Sequence, residues 1–272
     1  MTGPIFDTHA HYSSRAFDAD RIALLDSLPD KGVVGVCEQA THSGDAPRVL
    51  ELAHRYPWVV AAIGIHPESL LPAADCGEEG PAPTVSVYGG DWAAEMQALM
   101  PYYDDPKVVA VGECGLDYHW PVPKDAQLAL FEAEIRLALE LDKPIIVHDR
   151  SAHADVYALL KKYRPKGIVH CYSGSAEIAQ ELLKLGWYLG FDGPLTYKNA
   201  KKTVEVARIV PLDKVLLETD SPYMAPAPVR GTRNDSRNVF HIAAKFAELR
   251  GMEVDEVIAL TSENGKRLFG IE

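Results

Sequence analysis

No apolar run in this chain reaches the roughly 18 residues that a membrane helix needs, so a helical membrane anchor is not expected. Residues 1–7 carry neither the basic region nor the apolar stretch of a secretory leader. Positive charge is scarce: 27 Lys and Arg stand against 39 Asp and Glu, a formal net charge of −12. Proteins that grip long duplex nucleic acid usually show a basic surface, because phosphate neutralisation supplies much of the affinity. A small substrate, or the end of a polynucleotide chain held by metals, fits this charge better. Bound divalent cations would locally reverse the acidic field. Cysteine is also scarce. Cys37, Cys76, Cys114 and Cys171 form no Cys-x-x-Cys pair, and three lie in apolar stretches, which reads as free thiols in a reducing compartment. The expectation is a soluble, cytoplasmic protein with no stable protein partner. Repeats and low-complexity tracts are absent, and no Gly-x-Gly-x-x-Gly follows the first strand candidate.

What the chain does have is alternation. Short segments rich in Val and Ile fall at 4–11, 33–38, 59–66, 108–116, 144–148, 167–171, 188–192 and 215–219. Most are apolar at nearly every position, as strands buried on both faces are. Helix candidates lie at 125–141, 154–163, 175–185, 199–209, 237–249 and 254–268. In the first, Leu128, Phe131, Ile135, Ala138 and Leu139 form an apolar stripe, and Ser173 or Ser175 can cap the third. Eight strands, most followed by a helix, predict a single (β/α)8 TIM barrel spanning residues 1–272. An open doubly wound sheet is the alternative. Segment 72–90, rich in Gly and Pro, reads as a surface excursion, and 222–228 as a second long loop.

Polar residues recur at one place in the repeating unit. His9 and His11 end the first strand, His66 the third and His148 the fifth. Glu113 lies late in the fourth, His170 late in the sixth, and Asp220 ends the eighth. In a barrel these ends converge on one mouth. Period-two alternation puts His9 and His11 on one face, a spacing that suits a divalent metal, although two such histidines also occur in cores or on surfaces. Glu113 follows Val108-Val109-Ala110-Val111; a buried carboxylate needs a cation or an arginine partner. His148 and His170 each have a hydrogen-bonded core histidine as their alternative reading. Together, four histidines and two carboxylates are about what two metals need. His66 reads either as a substrate or leaving-group contact or as a turn residue held by Pro67. Arg150 would meet a phosphate or pair with a carboxylate. Asp7 and Glu218 share the parity of His9 and Asp220 and would orient ligand imidazoles from one layer deeper. Cys171, next to His170, is expected to point away from the interior. His42, His54, His119, His153 and His241 are expected at the surface or in local hydrogen bonds.

These residues resemble the TatD-type metal-dependent hydrolases, often called TatD deoxyribonucleases. The resemblance runs nearly end to end. It is carried by Phe6-Asp7-Thr8-His9-Ala10-His11, Gly64-Ile65-His66-Pro67, Gly112-Glu113-Cys114-Gly115-Leu116-Asp117-Tyr118, Pro144-Ile145-Ile146-Val147-His148, His170-Cys171-Tyr172-Ser173-Gly174 and Glu218-Thr219-Asp220-Ser221-Pro222-Tyr223. The resemblance implies an amidohydrolase-like barrel with two divalent metals. It also implies cleavage of DNA phosphodiester bonds by an activated water, 3'-5' exonuclease-like and from strand ends. His9 and His11 would hold one metal and His148 and His170 the other. Glu113 would touch both, and Asp220 would complete the first site and act as general base. The glutamate sets the chain apart from related barrels with a carbamylated lysine at that position. Many members of this family use Mg, but four imidazoles favour Zn, Mn, Fe or Ni. An ester or amide hydrolase on the same centre, such as a D-aminoacyl-tRNA deacylase, is the alternative function, and a non-catalytic metal-binding module is the second. Where the family usually continues Lys-x-Asn-Glu-Pro after Arg230-Gly231, this chain has Thr232-Arg233-Asn234-Asp235-Ser236, a change on the face where loops shape specificity.

Overall fold

A computed structural model describes residues 3–71 and 87–271. Eight parallel strands lie in sequence order in one sheet: β1 (Ile5–Ala10), β2 (Val33–Ala40), β3 (Val59–Ile63), β4 (Val108–Asp117), β5 (Ile145–Arg150), β6 (Gly167–Val169), β7 (Tyr188–Phe191) and β8 (Val215–Leu217). The expected barrel is what forms. Its outer layer contains α1 (Arg21–Ser27), α2 (Ala46–Arg55), α3 (Trp92–Leu99), α4 (Lys124–Glu140), α5 (His153–Tyr163), α6 (Ala176–Lys184), α7 (Lys201–Ile209), α8 (Val239–Arg250) and α9 (Val254–Phe269). The first three of these were not among the helix candidates. Most of the 72–90 excursion lies outside the described residues, as does Cys76.

Closure is local to the mouth. Beyond the strand ends His11 N donates to Ser221 O (2.7 Å) and Asp220 N to His9 O (2.9 Å), and Ala10 bridges Ser221. Lower down, β8 carbonyls find other donors: Asn264 Nδ2 reaches Val215 O (2.9 Å) and Thr8 Oγ1 reaches Leu217 O (3.2 Å). Helix α9 can come this close because Gly265 has no side chain; a Cβ there would sit 2.8 Å from the Phe6 ring. The core has two parts. One lies between strands and helices. The other gathers Phe6, Cys37, Val60, Ile146, Ile168 and Leu216 from successive strands with Leu268 and Phe269 of α9. At that base a cavity of about 240 Å3 is lined by Phe6, Trp58, Lys266 and Ile271 among others.

Helix α4 corrects the expected stripe. It buries Gln127, Leu130, Phe131, Glu134, Ile135, Leu137 and Ala138, while Leu139 is exposed and Leu128 half-buried. Two polar side chains belong to the buried face because the barrel offers them backbone partners. Gln127 Oε1 accepts from Asp117 N (2.7 Å) and its amide donates to Asp117 O (2.8 Å). Glu134 Oε1 accepts from Ile65 N (2.8 Å). Ser175, not Ser173, caps α6, accepting from Ile178 N. No helix among the described residues is long and apolar enough to cross a membrane.

Candidate metal centre

Backbone geometry at β3 and β4 decides where Glu113 points. Gly64 and Gly112 face each other so closely that a Cβ on Gly64 would lie 2.7 Å from Gly112 Cα. Gly112 has φ of 143°, a region that favours glycine. Without a side chain at either position, the segment just past β3 packs directly against the β4 backbone next to Glu113, and Gly112 packs against Ile146 of β5.

All six expected ligands meet there. Glu113 Oε2 lies 3.3 Å from His9 Nε2 and 3.5 Å from His11 Nε2. Its other oxygen, Oε1, lies 3.1 Å from His148 Nδ1 and 2.9 Å from His170 Nε2. Asp220 Oδ1 lies 3.3 Å from His11 Nε2 and 3.7 Å from His9 Nε2. The two nitrogens of His9 and His11 face each other at 3.2 Å, and those of His170 and His148 at 3.4 Å. Lone pairs that close need a proton or a cation between them. Ligands bonded to one ion at about 2.0–2.1 Å stand about 3.0–3.4 Å apart, so these spacings fit divalent metals. Among the described residues three overlapping groups place their donor atoms within 4.8 Å of one another: His9, His11 and Asp220; His9, Glu113 and His170; and His66, Glu113 and His148. The His9 and His170 rings stack with centroids 3.9 Å apart, so His170 stands between the two histidine groups.

The electrostatics favour bound cations. Burial opposes charge on His11, yet Asp220 and Glu113 hold its pKa up at about 9. Burial likewise opposes charge on His148, but Asp117 and Glu113 raise it to about 9. Burial alone would push Glu113 up, but the surrounding His170, His9 and His66 overcome it and hold the carboxylate well below its ordinary range. The mouth is a sink for positive charge.

Several expectations need correction. His66 does not end a strand: β3 stops at Ile63, and His66 caps the short 3-10 turn Pro67–Leu70. Its Nδ1 accepts from Glu68 N (3.2 Å), while Nε2 lies 3.6 Å from Glu113 Oε1. The turn reading therefore holds, with Nε2 left facing the centre. Asp7 does not share the face of His9. A register shift between Asp7 and Ala10 turns it toward β8, where it accepts from Thr219 N (2.9 Å), Thr219 Oγ1 (2.6 Å) and Ser236 Oγ (2.7 Å). Glu218 does lie beneath an imidazole, 3.6 Å from His170 Nδ1. Cys171 is past the end of β6, so strand parity does not govern it. With φ of 44°, its N–H donates to Glu218 Oε1 (2.6 Å). Among the described residues Arg150 has no carboxylate at ion-pair distance, and it lies over the Trp120 ring. His54 and His153 are met locally by Asp105 (2.7 Å) and Asp149 (2.8 Å).

Among the buried carboxylates that sequence reasoning missed, three lie in or just past strands. Asp117 Oδ2 accepts from His148 Nε2 at 3.0 Å, the carboxylate–histidine contact that orients metal ligands. Glu38 accepts from Tyr12 N (2.8 Å) and Ser13 N (2.6 Å), pinning the loop after His11. Asp192, past β7, is 2% exposed, and its burial near Glu218 and Asp220 pushes its carboxyl well above the ordinary range. The signal that singled out Glu113, a carboxylate in or at the end of an apolar strand, was available for each. The altered loop after β8 is structural in part: Asn234 Nδ2 donates to Thr219 O and Tyr223 O, both at 2.8 Å.

An eight-stranded parallel barrel whose strand ends gather imidazoles and carboxylates around one glutamate defines a class, the barrel-type metal-dependent hydrolases. Comparison with known proteins narrows it. The profile of the family described as TatD related DNase matches residues 6–270, and the chain belongs to that family. An uncharacterized metal-dependent hydrolase of Bacillus subtilis, YabD, is 40% identical over 98% of this chain and 99% of its own. The 3'-5' ssDNA/RNA exonuclease TatD of Citrobacter koseri is 30% identical over 98% of this chain and 99% of its own. The crystal structure of YjjV, a TatD homologue from Escherichia coli K12, superposes with a TM-score of 0.87 at 30% identity, covering both chains fully. This protein is accordingly a metal-dependent hydrolase of the TatD family.

Proposed function

We propose that this chain hydrolyses DNA phosphodiester bonds from strand ends, 3'-5' exonuclease-like, using two divalent cations. One observation carries the reading: the two oxygens of Glu113 divide between two groups of imidazoles, Oε2 toward His9 and His11 and Oε1 toward His148 and His170. In this reading His9, His11 and Asp220 would hold one ion, His148 and His170 the other, and Glu113 would contribute to both. Bound there, divalent metals supply Lewis-acid charge that polarises phosphoryl oxygens and makes water acidic near neutral pH.

The remaining chemistry falls to the chain. Asp220 has a left-handed backbone, φ 56°, held by Asp220 N donating to His9 O and Tyr223 N donating to Asp220 O. That pose keeps its carboxylate at the centre, where it accepts the proton of the attacking water. The water oxygen bonds to phosphorus as the P–O bond to the leaving nucleotide breaks. His66 serves as a donor. Burial lowers its pKa to about 3, so the ring is neutral. Because Nδ1 accepts from Glu68 N, the ring proton sits on Nε2. That N–H is aimed toward Glu113, where a phosphate or leaving-group oxygen would lie, and it is unsuited to metal ligation. Arg150 offers a second donor at the rim. The described cysteines are free thiols, which supports a reducing, cytoplasmic setting.

The test is digestion of end-labelled single-stranded DNA by metal-stripped protein restored with Zn, Mn, Fe, Ni or Mg in turn. A D-aminoacyl-tRNA is run in parallel. Nucleotide release dependent on added metal is expected; release of the amino acid alone would replace the nuclease reading with the ester hydrolase.

A further inference from the structure

The loop between β4 and α4 is held unusually firmly for an exposed segment. Tyr118 N donates to Arg150 O (2.9 Å), carrying the β4–β5 ladder past the strand end. His119 N donates to Asp117 Oδ1 (2.8 Å) and Val122 N to Trp120 O (2.8 Å). From beneath, Gln127 holds both Asp117 and the Val122 carbonyl. This pinned loop presents Trp120 to solvent at 36% exposure. The Arg150 guanidinium lies 5.8 Å from the centre of the Trp120 ring, and the His119 ring stands edge-on to it at 5.0 Å.

Single exposed aromatics are ordinary on protein surfaces, so exposure alone says little. Three further observations set this one apart. First, among the described residues no carboxylate lies within ion-pair distance of Arg150, and its guanidinium faces the Trp120 ring instead. Its neighbours Asp149 and Asp155 are engaged by His153 (2.8 Å) and the Tyr118 hydroxyl (2.7 Å). Second, this cation is set at the mouth of a chain whose net charge is −12, where the Glu68 carboxylate feels its charge. Third, the loop is wired to the candidate centre: Asp117 binds His119 N on one side and His148 Nε2 on the other, and His148 Nδ1 lies 3.1 Å from Glu113.

A rigid π face rimmed by a guanidinium suits a ligand that is flat on one side and anionic on the other. Resting on the nuclease reading above, we propose that Trp120 and Arg150 form a platform for single-stranded nucleic acid. A nucleobase adjacent to the scissile phosphate stacks on Trp120, and Arg150 contacts its backbone phosphate. Base stacking on an aromatic side chain is tolerant of base identity, so the platform selects unpaired strands over duplex without selecting sequence. The rigidity matters because a loop ordered in advance loses little entropy when the base arrives.

The experiment compares the full, metal-loaded protein on an oligothymidylate and on the same oligonucleotide with abasic residues next to the cleaved bond. For the wild type, loss of the base should lower kcat/KM by about 5- to 150-fold. In Trp120→Ala the base-containing oligonucleotide should fall by a similar factor, through KM, and the ratio between the two substrates should collapse toward one. Trp120→Phe should restore most of the ratio. Arg150→Ala should weaken both substrates alike and flatten the salt dependence of KM. A Trp120→Ala protein that keeps the wild-type ratio overturns the platform, because a merely structural defect lowers both substrates together. If the wild type cuts neither oligonucleotide with any metal, the nuclease reading has failed and the platform falls with it, an outcome visible before any variant is made.

Discussion

The two ends of the barrel are built from the same strands and behave as opposites. At the base, Phe6, Cys37, Val60, Ile146, Ile168 and Leu216 pack with Leu268 and Phe269. At the mouth, a few residues further along those strands, the interior holds His9, Glu113, His148, His170, Glu218 and Asp220. The base is stabilised by apolar burial. The mouth buries charged and polar groups, which costs free energy unless each meets a partner, and several meet only one another. The contrast teaches a division of labour: the base supplies the rigidity that lets the mouth hold facing nitrogens 3.2 Å apart. Substitutions should separate the two ends, with metal and rate lost at one and stability at the other.

The largest effect is expected at Glu113, the one side chain shared by both groups of imidazoles. Glu113→Ala should keep the fold, lose bound metal and lower the rate by at least about 100-fold. Metal analysis together with turnover checks this, and wild-type turnover at verified metal content would sink the bridging role. Next comes Asp117→Asn, which removes the carboxylate that orients His148. Metal affinity should drop about 10- to 100-fold with thermal stability little changed; unaltered affinity in a metal titration would reduce Asp117 to a loop anchor.

At the base, Phe269→Leu removes an edge-to-face pair with Phe6, whose ring lies 5.9 Å away. A loss of about 1 kcal/mol is expected, seen as a melting temperature lower by about 2–4 °C. Metal content and activity should stay at wild-type values, and a parallel fall in metal affinity would erase the division between the ends. The smallest effect concerns Glu134 beneath the loop that carries His66. Its burial raises the carboxyl pKa well above the ordinary value. A raised folded-state pKa means that the folded chain binds the proton more tightly than the unfolded one. The stabilisation is then full below the unfolded pKa and is lost as pH rises toward the folded value. Glu134→Gln keeps an acceptor for Ile65 N–H and cannot ionise. Its melting temperature should match wild type near pH 4–5 and exceed it increasingly toward pH 8. An advantage that shrinks with rising pH would contradict this sign.

Much of this was legible in the sequence. Among the described residues, the eight strands and six of the nine helices stand where hydrophobic periodicity put them, because buried parallel strands and amphipathic helices advertise themselves within a few residues. Helices α1 to α3 did not. Strand ends were less legible: β3, β6 and β8 stop two or three residues before the predicted ends, because the last apolar residues leave the ladder to enter the mouth loops. Parity reasoning worked for His9 and His11 but failed for Asp7, where a register shift intervenes. Gln127 and Glu134 lay outside the expected apolar stripe of α4, since nothing local announces a backbone N–H or carbonyl arriving from a distant loop.

By itself the sequence determined which chemical groups this protein has and in what order they meet the strand ends. That is a local property, set by side-chain type and the two-residue period of a strand. Only the tertiary structure decided which oxygen of Glu113 faces which histidines, that Asp117 holds His148, that Asp7 turns away to Thr219, and that Trp120 lies under Arg150. Each of those joins residues 30 to 212 positions apart. Such contacts depend on the stagger and closure of eight strands, a collective geometry that no short stretch of chain encodes.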